Sequence, residues 1–232
     1  MSGLSPDVFA SPEVAAVIRL HRDLFTDDFH RLPIMQQLDR QADRILQAHQ
    51  EGNLVAATHL RSWHPDLVGQ PVEAIMAHGL TRQEARETIA REYGFDDWPD
   101  VEENGFESPD PAFEAAVDIL LAGDVVTLRR RCDRDPMLVK RRSSFGHRCA
   151  LLHYVASNGI ETYRQVVPRN LDEVTRVLIE SGADVNATAN IYGGGTTTLD
   201  LLLSSSHPAE AGVADDVVKV LVDAGAKVEA SE

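Results

Sequence analysis

The chain has 232 residues, 43% of them apolar and 25% charged, enough for one large domain or two small ones around a proper core. Its net charge of −15 argues against general nucleic-acid binding and against adhesion to anionic membranes. Cys132 and Cys149 are the only cysteines, too few for a disulfide framework; with no basic-then-apolar leader and no run of ~18 apolar residues, a cytoplasmic location is expected.

In chain order, helical punctuation dominates and strand patterns are nearly absent. Ser11-Pro12 reads as an N-cap followed by proline at the first helical position. In "LTRQEARETIAREYGF", Thr81 and Glu84 predict a capping box, Leu80 a hydrophobic staple, and Gly94 a left-handed helix stop. Phe95 and Trp98 then fold back as apolar contacts. "DDVVKVLVDAG" repeats the device, with Gly225 as its stop. Charge is uneven along the chain: eight basic residues lie between Arg129 and Arg148 against only Asp133 and Asp135.

Two internal matches follow. "QEGNLVAATHLRSWHPDLV" (50–68) aligns with "LAGDVVTLRRRCDRDPMLV" (121–139), pairing Gly52 with Gly123 and Pro65 with Pro136. "VLIESGADVNA" (177–187) matches "VLVDAGAKVEA" (220–230) more closely. Fixed-period helix pairs are the mark of a stacked repeat array.

"ALLHYVASNG" (150–159) followed by "VTRVLIESGADVNA" resembles the ankyrin repeat of bacterial-type ankyrin-repeat proteins. Leu152-His153 stand at the family's Leu-His positions and Gly159 at the glycine closing the first helix, whereas Ala150-Leu151 replace Thr-Pro. "TTLDLLLSSS" (197–206) is the next unit, with Asp200 at the histidine position. The resemblance implies an all-α solenoid of about five helix-pair units, at 36–68, 71–105, 112–142, 148–187 and 197–230, with an N-terminal helical cap over 1–35. The domain reading is thus a cap (1–35), divergent repeats (36–110) and ankyrin repeats with inserted loops (111–232). Against a period of about 33 residues, three insertions stand out: "IETYRQVVPRNL", the turn holding "YGGG", and the stretch around "SHPAEAGV". They are expected as surface loops.

The candidate sites lie in these last units. Gly193, Gly194 and Gly195 permit positive φ and close approach, and Thr196, Thr197 and Thr198 add hydroxyls at a helix start, where anions are favoured. No G-K-[ST] ending follows, and a long turn whose threonines cap the next helix is the plainer reading. Lys140, Arg141, Arg142 and Arg148 either line a finger turn that receives an acidic partner or phosphate, or pair with the surrounding acid. His153 and Asp200 occupy equivalent positions in adjacent units. With Tyr154, Tyr163, Gln165, Tyr192 and His207 they make an alternative site, a polar pocket with a histidine acid/base. The resemblance implies instead that this histidine is structural.

His21, His30, His59 and His64 show no recognised ligand spacing and read as surface residues, so neither metal nor cofactor is expected. Cys132 lies among arginines that would lower its pKa but reads as a small core residue. The expected function is a non-enzymatic module that binds a protein partner through a concave face and the finger turns. The alternative is a small-molecule-binding protein or enzyme built on His153 and Asp200. Neither nucleic acid nor a membrane is an expected partner.

Overall fold

The computed structural model describes residues 7–227 and is mostly helical. The first six residues of the expected cap and residues 228–230 of the second internal match lie outside the described residues. Among the described residues, no helix is long and apolar enough to cross a membrane. The chain forms two compact units.

The first unit holds residues 12–109 together with 161–163. Its helices are α1 (Pro12–His21), α2 (Asp27–His30), α3 (Ile34–Gln50), α4 (Ala56–Trp63), α5 (Val72–Ala77), α6 (Arg82–Glu92) and α7 (Trp98–Asn104). Apolar side chains at helical spacing on α3 (Ile34, Leu38, Ala42 and Ile45) meet Ala56 and Leu60 of α4 and Ala85 and Ile89 of α6, all shut off from solvent. The first turn of α3 would leave amides unpaired. Ile34 and Met35 donate theirs to the carbonyls of Glu107 and Gly105 beyond α7, so the α7 loop closes that end. The capping box at Thr81 and Glu84 is present, Gly94 has φ 77°, and Phe95 and Trp98 are buried behind it.

The second unit holds residues 7–11, 110–160 and 164–227. Its elements are β1 (Val8–Phe9), α8 (Pro111–Leu121), α9 (Val125–Arg134), 3-10 helices over 138–140 and 151–156, β2 (Val167–Pro168), α10 (Leu171–Glu180), β3 (Thr188–Ala189), β4 (Thr196–Thr197), α11 (Thr198–Leu203), α12 (Ser206–Glu210) and α13 (Ala214–Asp223). Two short antiparallel strand pairs, which the helical reading did not foresee, join Phe9 to Val167 and Ala189 to Thr196. Three helix pairs lie in series: α8 with α9, 151–156 with α10, and α11 with α13. Each first helix packs on the next first helix, and each second helix on the next second helix.

The glycines matched between 50–68 and 121–139 have the same backbone: Gly52 has φ 73° and Gly123 φ 71°. Each ends a helix of a pair, at a position only glycine occupies without strain. The insertion after Gly159 is not a surface loop. Ile160, Val166 and Val167 are buried, Ser157 Oγ donates to the Val166 carbonyl, and the Arg164 guanidinium is enclosed with Glu114 at 2.6 Å. Apolar content and a satisfied ion pair draw this segment inward.

Candidate functional site

The second unit carries most of the residues singled out above. Ala150 starts the 151–156 helix, and His153, three residues on, reaches back so that its Nδ1 accepts the Ala150 amide at 3.1 Å. Its Nε2 then carries the proton and donates to the Ala187 carbonyl at 3.0 Å, at the foot of the next turn. Burial, reinforced by the Arg142 charge, lowers the His153 pKa to about 4, so the ring is neutral at pH 7 with both nitrogens used. Asp200 does the same work one helix pair later: its carboxylate accepts the Thr197 amide at 3.0 Å and the Thr197 hydroxyl at 2.6 Å. The equivalence of the two positions is therefore a shared capping role, and no described hydrogen bond joins His153 to Asp200. Chemistry at a His153–Asp200 pair has no geometric basis.

Other members of the expected pocket also separate. Tyr154 is fully buried, its ring edge-on to Phe113 and His147. Tyr163 belongs to the first unit, with its ring 4.4 Å from that of Phe25. Gln165 and His207 do meet: His207 Nε2 lies 3.2 Å from Gln165 Oε1, while Gln165 Nε2 donates to the Ile160 carbonyl.

The basic turn divides by role. Arg141 is held by Asp135 at 2.6 Å and Asp110 at 3.1 Å. Arg142 donates to the carbonyls of Thr188 at 2.6 Å and Arg148 at 3.3 Å, which ties its turn to the β3–β4 hairpin. Both arginines serve the fold. Lys140 and Arg148 are exposed, Arg148 with φ 52°.

The hairpin itself is the expected finger. Gly193, Gly194 and Gly195 all have positive φ, and Tyr192 before them sits at φ 51°, where a side chain is strained. The Thr196 hydroxyl donates back to the Ile191 carbonyl at 2.7 Å, which closes the loop, and Thr197 caps α11. Tyr192 is 65% exposed, yet its hydroxyl donates to Asn158 Oδ1 at 2.8 Å. Asn158 in turn donates to the Leu201 carbonyl and Ser204 Oγ, flanking the exposed Leu203.

Sequence reasoning missed a polar centre in the first unit. His21, His59 and His64 are buried, not surface residues. His59 Nδ1 lies 2.6 Å from Glu92 Oε2, both side chains 1% exposed, and Glu92 Oε1 accepts the Thr162 amide at 2.8 Å. Burial raises the Glu92 pKa, but the facing His59 and these hydrogen bonds leave it below the ordinary carboxylate value. His21 stands edge-on to His59, and burial first, then the His59 charge, lowers its pKa to about 3. Glu92 is spaced as the inward face of α6, and its charge in an apolar row was the available signal. A second group, His64, His78 and Glu84, brings three potential metal ligands together. Cys132 is buried, and burial raises its thiol pKa above the ordinary value in spite of Arg129.

In comparisons with protein-family models, with curated proteins and with solved structures, nothing matches the chain.

Proposed function

We propose that the chain is a cytoplasmic, ankyrin-type protein-binding module whose second unit holds a partner through the 190–195 finger. Tyr192 carries the reading. Its ring is exposed, its backbone strained, and its hydroxyl fixed by Asn158. A pre-fixed aromatic loses little freedom on contact and is the residue type that dominates interface energies. Exposed Lys140 and Arg148 favour a partner segment bearing carboxylates. Support for the repeat character comes from the serial helix pairs, the capping side chains at His153 and Asp200, and the hairpin between the second and third helix pairs. In such a stack the first helices would floor a concave face.

A photo-crosslinking amino acid in place of Leu203, beside the finger, identifies the contacting protein in producing cells. Binding of that purified protein is then measured by calorimetry. Tyr192→Ala is expected to weaken it by about 2 kcal/mol or more, roughly thirtyfold, and Lys140→Glu with Arg148→Glu to slow its association. Unchanged affinity in both variants would remove the finger from the interface.

A further inference from the structure

We propose that His64, His78 and Glu84 of the first unit form a binding site for a zinc-type divalent cation. His64 and His78 are the first residues after α4 and α5, and both turn out of their helices with extended backbone (ψ 132° and 137°). Glu84 is the third residue of α6. Three helix ends therefore converge, and one ligand atom from each residue lies within 4.8 Å of the others. His78 Nε2 is 3.0 Å and His64 Nε2 3.9 Å from the same atom, Glu84 Oε1.

His64 makes the group more than a surface cluster. Its side chain is 1% exposed, and its Nε2 is buried, points toward Glu84 Oε1 and has no hydrogen-bond partner. A buried polar atom without a partner is costly, and binding a cation is one way to satisfy it. The carboxylate is also prepared. Glu84 Oε2 accepts the Thr81 amide at 2.8 Å and hydroxyl at 2.7 Å, which fixes the carboxylate with Oε1 toward the two rings.

Two imidazoles and one carboxylate suit zinc, with a fourth position left for water. Around zinc, ligand atoms about 2.0–2.1 Å from the metal stand roughly 3.3 Å apart. His78, one-third exposed, has the freedom to close the remaining gap and leaves a path for entry. The Asp66 amide donates to His64 Nδ1 at 3.1 Å, so the metal-free ring carries its proton on Nε2. The cation takes the place of that proton: Nε2 gives its proton to solvent and Nδ1 takes one up, so the ring stays neutral. The ring proton is then needed on Nδ1, and the Asp66 amide, in an exposed turn, must swing aside. This site is distinct from the finger of the second unit and independent of its role.

The test is a titration of the whole protein with zinc against a chromophoric chelator, followed also by amide NMR. One zinc per chain is expected, with a clear shift of the Asp66 amide resonance. His78→Ala and Glu84→Gln are each expected to weaken binding by at least about tenfold, with far-UV circular dichroism unchanged. Both residues are partly exposed, so the variants remain informative if buried His64→Ala fails to fold. Absence of zinc binding by the wild type, or equal affinity in the wild type and both variants, overturns the proposal, as does a static Asp66 amide.

Discussion

Lowering the pH should destabilise the second unit through His153. Its pKa of about 4 in the folded chain lies below the ordinary histidine value of 6.5, because burial, and next the Arg142 charge, penalise the imidazolium. The geometry agrees: a proton on Nδ1 would face the Ala150 amide hydrogen. The unfolded chain therefore binds the proton more readily between these two values. Stability from this group is complete above the unfolded pKa and is lost as pH falls through 6.5 toward 4. Between about pH 7.5 and about pH 5 the expected loss is roughly 2 kcal/mol, since each unit of pKa difference corresponds to about 1.4 kcal/mol.

His153→Gln isolates the effect. A glutamine amide can serve one or both hydrogen bonds but does not titrate, so its cost at neutral pH is about 1–2 kcal/mol. Urea unfolding followed by circular dichroism at both pH values then compares the two proteins. The stability advantage of the wild type should shrink by roughly 2 kcal/mol on acidification. An advantage that stays constant across the pH range would mean that His153 does not titrate as its burial requires.

The remaining expectations concern close packing and the buried dyad. A Cβ at Gly159 would collide with Ile191 Cγ2, and φ there is 67°, so Gly159→Ala should cost about 3 kcal/mol. Gly193→Ala, with equally unusual backbone but nothing within 4 Å, should cost only about 1 kcal/mol, and thermal melts of the two variants compare them directly. Glu92→Leu strands buried His59 and should cost about 3 kcal/mol or more, whereas adding His59→Phe should recover part of that loss. Trp63 and Trp98 both lie in the first unit, so their fluorescence on denaturation is the measurement.

How much of this was legible follows from the range of each interaction. Thr81 with Glu84, the stop at Gly94 and the turn at Gly193–Gly195 depend on residues one to four positions apart and on glycine's freedom at positive φ. Such local chemistry is written in the sequence, and so were the helix ends and the match of Gly52 with Gly123. The candidate site was legible only in part. The glycine turn could be located, but Tyr192 was read as a pocket residue and the arginines beside the turn could not be sorted.

Arg142 reaches the Thr188 carbonyl 46 residues away, and His59 meets Glu92 across 33. Those separations carry no periodic signal. Whether an arginine is free or a histidine buried is decided by which helix faces meet, and that is a property of the packed chain. The same holds for His64, His78 and Glu84, whose spacing fits no known ligand pattern because α4, α5 and α6 each bring one residue to a common point. Short-range hydrogen bonding and backbone sterics made the helices and turns readable from the sequence. Burial and long-range pairing, which exist only once the helices pack, assigned the side chains their work.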